Sequence, residues 1–274
     1  MVTFDKNTAY AITAARSVLL EVSHALGEYR DNIVVIGGWV PGLIVSKDHM
    51  GSLDVDLALD HRNISDECYR SIQELLLTRG YFQKESDQPF RFYRSVTIDE
   101  MEIIVEVDLL AGEYEGTGQS RRHQHVQNMK LRKARGSDLA FRFYEEVIIS
   151  GILPGGGEDS TVVRVASIIS FLVMKGMALH DRLKEKDAWD IFFCVTHFPG
   201  GMDALVHKMQ PHRKNKLVQE GLSKIKNKFS SVNAVGPKFV ADFEGIADEA
   251  ERALIKRDAF ERVNFLVDKV LELP

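Results

Sequence analysis

Apolar residues recur at helical spacing over residues 6–28, at Ile12, Ala15, Val18, Leu19, Val22 and Leu26, with Gly27 as a stop. This predicts a first helix. Ile33 to Ile36 is an unbroken apolar run, the pattern of a short buried strand, and it ends in Gly37-Gly38. The following VPGLIVSK reads as the start of a short helix, with Pro41 near its first turn. SLDVDLAL, residues 52–59, alternates as a strand does. Residues 65–79 open on an N-cap serine and close at Gly80, which predicts a helix. FRFYRSVTI and MEIIVEVDLLAG predict two strands, with Asp99-Glu100 as a hairpin tip.

Residues 112–137 are polar and basic and show no period, so they read as a loop. FRFYEEVIIS and STVVRVAS predict two further strands, and the glycines at 155–157 serve the turn between them. From Ile168 onward the pattern is helical, over about 168–195, 202–209, 213–228 and 248–272. The expected fold class is therefore α+β. A mixed β-sheet with flanking helices fills residues 1–166, and an α-helical domain follows over 167–274.

Composition narrows the function classes. The 274 residues carry 35 Lys and Arg against 40 Asp and Glu, a net charge of -5, so the chain as a whole is not a basic nucleic-acid binder. A local basic cluster does exist: Arg121, Arg122, His123, His125, Lys130, Arg132, Lys133 and Arg135 crowd one short segment. It reads either as an RNA contact or as a solvated polar loop. Cys68 and Cys194 form no CxxC pair, which argues against a thiolate zinc site and fits a reducing cytoplasm. No apolar run approaches the roughly 18 residues of a membrane helix. There is no Gly-x-x-x-x-Gly-Lys phosphate loop and no Gly-x-Ser-x-Gly elbow.

The chemistry concentrates in SLDVDLAL. Alternation puts Asp54 and Asp56 on one face and Leu53, Val55, Leu57 and Leu59 on the other. In MEIIVEVDLL, Met101, Ile103, Val105, Val107 and Leu109 share one face and Glu102, Glu106 and Asp108 the opposite one. If the two strands are neighbours, Asp54, Asp56 and Asp108 converge. Clustered carboxylates resist ionising together unless a cation neutralises them. Mg2+ takes oxygen ligands and keeps water and substrate phosphates in its shell, and a pair of such ions can assist an in-line displacement. An Asp-x-Asp on a half-exposed strand is more often a solvated face. Against that, aspartate is a poor strand former. Gly37-Gly38 also offers bare backbone, next to a helix N-terminus, where a phosphate can approach.

VVIGGW, SLDVDLAL and IIVEVDLL together resemble the nucleotidyltransferase superfamily that includes DNA polymerase β. The resemblance implies that Gly37 and Gly38 contact nucleotide phosphates and that Asp54, Asp56 and Asp108 bind Mg2+, two ions in number, with Mn2+ as a substitute. Asp108 would also orient or activate the acceptor hydroxyl, and Ser52, which matches the Ser or Thr found shortly before the Asp-x-Asp, would lie at the nucleotide. A second stretch, KGMALHDRLKEKDAWDIFF, resembles the signature of the AbiEii/AbiGii nucleotidyltransferase toxins of type IV toxin–antitoxin systems. The matching residues are Lys175, Ala178-Leu179, Arg182, Lys186, Asp187 and Asp190.

On one continuous helix, Lys175, Arg182, Lys186 and Asp190 fall within about a quarter of the circumference. A lysine and an arginine there can meet a nucleotide triphosphate, with Asp187 and Asp190 holding them or acting as acid and base. The plainer alternative is a solvated charged face laced with i,i+4 pairs. The resemblance implies a cytoplasmic transferase that moves an NMP from an NTP to RNA, such as a tRNA 3′ end, or to a protein. An antitoxin protein would be its partner and no membrane would be involved. Two alternatives remain open: a transferase acting on a small molecule, and a nucleotide-binding module without catalysis.

Overall fold

The computed structural model describes residues 6–60, 66–85, 88, 90–112, 123–126 and 129–272. Helix α1, Lys6–Ala25, buries Ala14, Ala15, Val18, Leu19, Leu20 and Val22, the stripe its periodicity predicts. Strand β1, Ile33–Ile36, is buried along its whole length, as expected of a central strand covered on both faces. A 3-10 turn over Gly37–Trp39 leads into α2, Val40–Ile44, and then β2, Asp54–Leu59. After α3, Asp66–Thr78, come β3, Arg91–Ile98, and β4, Met101–Gly112. They are joined at Asp99-Glu100, both at positive φ, as a tight hairpin tip requires. The N-cap serine expected for α3 lies outside the described residues.

The strands form one eight-stranded mixed sheet in the order β5-β6-β4-β2-β1-β8-β7, with β3 also pairing β4. Strands β7, Tyr144–Ile152, and β8, Glu158–Ala166, are the antiparallel ribbon expected across the glycine turn. Strands β1 and β2 run antiparallel, while β2 and β4 run parallel because the intervening chain, α3 included, returns to the same end.

Three expectations about the elements need correction. The segment read as loop over 112–137 contains two strands, β5, His123–Val126, and β6, Met129–Ala134, which extend the sheet beyond β4. Arg121 and Arg122 of the basic cluster lie outside the described residues. Leu53 does not share the core face of β2: it precedes the strand and is 51% exposed. The long helix expected over 168–195 is two helices, α4, Ile168–Arg182, and α5, Glu185–His197, broken at Leu183, whose φ is +51°.

The chain divides into two units, and each is described by itself. The sheet unit comprises residues 6–44 and Met50–Ser167. The helical unit comprises Val45–His49 and residues 168–272. After α5 it contains α6, Gly201–Met209, α7, Lys216–Lys228, α8, Val235–Phe243, and α9, Glu249–Leu271. Helix α8 falls between the helical stretches expected at 213–228 and 248–272, and it contains Gly236-Pro237. Proline is tolerated there because it falls in the first turn, where its missing N–H has no intrahelical partner to lose. Helices α4 and α7 meet at Gly176 and Gly221: a Cβ on Gly176 would lie 2.4 Å from the Gly221 carbonyl oxygen. The core there is held by Phe171, Leu172, Val218, Leu222 and Ile225, all buried.

Candidate functional site

In the sheet unit the acidic residues are arranged by strand register. Asp54 pairs with Glu106 and Asp56 with Asp108 across the parallel β2–β4 ladder. In-register neighbours project to the same face, so these four carboxylates form a two-by-two array there. Val55, Leu57, Val107 and Leu109, on the opposite face, are fully buried. The strand is therefore apolar on its core side and acidic on the other, with Asp54 opening it and Asp56 within it.

The array is supported from three directions. Trp39 Nε1 donates to the Asp54 carbonyl oxygen at 2.8 Å, fixing the start of β2. The buried Ser52 hydroxyl donates to Asp54 Oδ1, so Ser52, expected at the nucleotide, orients a carboxylate. Gly37, at φ +72°, packs beneath Asp56, and a Cβ there would lie 2.0 Å from Asp56 Oδ2. Register explains this proximity, because Ile36, the residue before Gly37, is the β1 partner of Asp56. Gly37 thus leaves room for a carboxylate against bare backbone. Helix α2 is only five residues long, so its dipole adds little to the phosphate approach expected there.

Sequence reasoning missed Arg91. It begins β3, opposite Asp108 in the antiparallel β3–β4 ladder. Its Nε donates to Asp108 Oδ1 at 2.8 Å and its Nη2 to Asp108 Oδ2 at 2.9 Å, a two-pronged fork. The same Nη2 lies 2.7 Å from Glu106 Oε1. Hydrogen bonding to Asp108 holds the guanidinium above its ordinary value against the opposing effect of burial. The available signal was the hairpin register: once Asp99-Glu100 is the tip, Arg91 must face Asp108.

The donor set bears on a metal. It is all oxygen, the chemistry that suits Mg2+ or Mn2+, and Mg2+ is commonly held by one or two carboxylates with substrate phosphates completing its shell. Asp54 and Asp56 fit that description. Asp108, the third expected ligand, is engaged at both oxygens by Arg91. Among the described residues no group of three His, Cys, Asp or Glu side chains is gathered as a metal site.

In the helical unit the second motif is brought together, but not on one exposed helix face. Lys175 on α4 reaches two carboxylates of α5, Asp187 at 2.8 Å and Asp190 at 2.6 Å. Arg182 forks onto Asp187 at 2.7 and 2.8 Å, and Lys186 reaches Asp190 at 3.0 Å. Lys175, Asp187 and Asp190 are all buried. The network is therefore neither a row of free cations nor a solvated face. The break at Leu183 makes it possible, folding α5 back so that its acids meet the α4 lysine.

Sequence reasoning also missed His49. Its Nε2 lies 2.9 Å from Asp190 Oδ1, and its ring packs 5.0 Å from Trp189 and 4.9 Å from Phe193. Burial lowers the pKa of His49, and the Asp190 hydrogen bond only partly opposes this. The imidazole is thus neutral near pH 7, with the proton on Nε2, since an ionised Asp190 can only accept. Burial alone would raise Asp190, yet Lys175, Lys186 and His49 hold it well below the carboxylate range. Asp187 is likewise lowered, with Lys175 and Arg182 outweighing burial. Burial works against the Lys175 ammonium, and Asp190 and Asp187 overcome it to raise its pKa. Cys194, one helical turn from Asp190, is buried and pushed well above the ordinary thiol value, so it stays an inert thiol.

No helix among the described residues is long and apolar enough to cross a membrane. Compared with family models, with curated proteins and with solved structures, the chain matches none.

Proposed function

We propose that the chain is a metal-dependent nucleotidyltransferase that moves an NMP from an NTP to an acceptor and releases pyrophosphate. The observation that carries this reading is the in-register acidic face, with Asp56 folded over Gly37. A triphosphate brought to the same bare backbone would meet a carboxylate, and like charges share such a place only with a cation between them. Asp54 and Asp56 are the residues that would hold Mg2+ or Mn2+. The bound ion would supply charge neutralisation for the phosphates. Ser52 orients Asp54, Trp39 fixes the backbone of β2, and Gly37 admits the Asp56 carboxylate. Asp108 stands next to Asp56, where an acceptor hydroxyl can be oriented and relieved of its proton. Catalysis of this kind is mostly positioning and electrostatic stabilisation.

The acceptor proposed is RNA, a tRNA 3′ end in particular, or a protein, and the biological role is that of an AbiEii-like toxin restrained by an antitoxin. The support is the resemblance of the Lys175–Phe193 stretch. The buried network gives those residues a clear structural task within the helical unit. A second reading, a nucleotide-binding module without transfer, is favoured by the fork that Arg91 places on Asp108.

The test is incubation with labelled NTPs, Mg2+ and total RNA, beside an Asp54→Ala, Asp56→Ala double variant. Label transferred by the native chain and lost in the variant supports transfer. Label incorporated equally by both, or by neither, sinks it. Label in a protein band instead of RNA redirects the acceptor.

A further inference from the structure

The array of Asp54, Asp56, Glu106 and Asp108 carries four formal negative charges, and among the described residues Arg91 is a cation in direct ionic contact with two of them. Its contact is specific. The fork takes both oxygens of Asp108, and the remaining reach of Nη2 takes Glu106. The guanidinium side chain is 24% exposed and Asp108 only 9%, so the pair is shielded enough for charge to matter and open enough to exchange partners. The hairpin register holds Arg91 opposite Asp108, so its position does not depend on side-chain choice alone.

Resting on the nucleotidyltransferase reading, we propose that Arg91 is a positioning residue, a resident counter-cation of the acidic face. It holds Asp108 by both oxygens and competes with a divalent cation for them. Asp54 and Asp56 then form the standing ion site. Asp108 joins it only when an arriving cation takes oxygens that Arg91 gives up. A guanidinium suits this task because it stays charged, so its hold on Asp108 does not depend on pH, and it cannot itself ligate a metal.

The test is Mn2+ binding to the full chain without nucleotide, read as the loss of the free Mn2+ electron paramagnetic resonance signal. Removing one positive charge beside the site in Arg91→Gln is expected to tighten Mn2+ binding about tenfold or more, whereas Arg91→Lys, which keeps the charge, stays within about threefold of the native chain. Arg91→Gln binding no more tightly than the native chain overturns the proposal, as does Arg91→Lys binding as tightly as Arg91→Gln. A second measurement needs no variant at position 91. Saturating Mn2+ is expected to raise phenylglyoxal modification of Arg91, mapped by mass spectrometry; unchanged modification overturns the competition.

Asp54→Asn, Asp56→Asn separates this proposal from the reading beneath it. If the double variant binds Mn2+ like the native chain while Arg91→Gln still tightens binding, Arg91 keeps its role and the two-aspartate site is wrong. If the double variant loses binding and Arg91→Gln changes nothing, the site stands and the role of Arg91 falls.

Discussion

Replacing Lys175 by Met removes one ammonium and little volume. Lys175 lies 2.8 Å from Asp187 and 2.6 Å from Asp190, and its side chain is 9% exposed against 1% and 0% for its partners. Breaking a buried ion pair by removing one partner costs about 3–5 kcal/mol, because the remaining charge is stranded in a low-dielectric site. Here Asp187 keeps Arg182, and Asp190 keeps Lys186 and His49. The expected loss is therefore at the lower end, about 3 kcal/mol. With a urea slope of about 1.5 kcal/mol/M, the midpoint falls by about 2 M. The helical unit supplies its own reporter. Of the two tryptophans, Trp189 packs on His49, whereas Trp39 belongs to the sheet unit. Fluorescence in a Trp39→Phe background thus follows the helical unit alone. Adding Asp190→Asn to Lys175→Met restores the charge balance and is expected to recover at least about 1 kcal/mol. A loss below about 1 kcal/mol for Lys175→Met, or simple additivity in the double variant, refutes the claim that the buried charges depend on one another.

The same unit has a defined pH response. His49 has its pKa lowered from 6.5, so the unfolded chain takes up the proton first and stability declines as pH falls below about 6.5. Asp187 and Asp190, also lowered, add to the decline below about pH 4. Lys175 is raised, so its contribution is complete below 10.5 and is lost only as pH climbs through the higher folded value. Urea midpoints at pH 5.0 and 7.0 check the acid limb, and His49→Gln is expected to flatten it between those values; an unchanged slope counts against the assignment. At the acidic face, Gly37→Ala would place a Cβ 2.0 Å from Asp56 Oδ2 at a backbone angle alanine avoids. It is expected to cost about 1–2 kcal/mol in thermal melts and to abolish NMP transfer. Full activity in Gly37→Ala would show that Asp56 has no need of that space.

Much of the sheet unit was legible because its signals are local. The alternation of β2 and β4, the unbroken apolar run of β1 and the Asp99-Glu100 tip each name an element from a few neighbouring residues. The acidic face followed from the period of two alone. What stayed hidden depends on pairing or on context. Arg91 is an ordinary basic residue until the hairpin register sets it against Asp108. Leu183 is a good helix former, and nothing local announces that it adopts a left-handed conformation between α4 and α5. Strands β5 and β6 lie in a segment whose charges obscure any alternation, so pairing with β4 and with each other defines them. His49 and Asp190 are 141 positions apart, a distance no periodicity spans.

The excursion of Val45–His49 bears on biosynthesis. A chain emerges from its amino end, so this segment is made more than a hundred residues before Trp189 and Asp190, the groups that receive its imidazole. The contiguous stretch from Ile168 onward therefore lacks one group of the interior to which it belongs. Closing so long a loop is slow compared with forming neighbouring helices, though its added entropic cost grows only logarithmically with length. The docking of His49 is thus expected late in assembly. A fragment starting at Ile168 would present Asp190 without its imidazole, so a cut at Ser167–Ile168 separates residues that belong to the same unit.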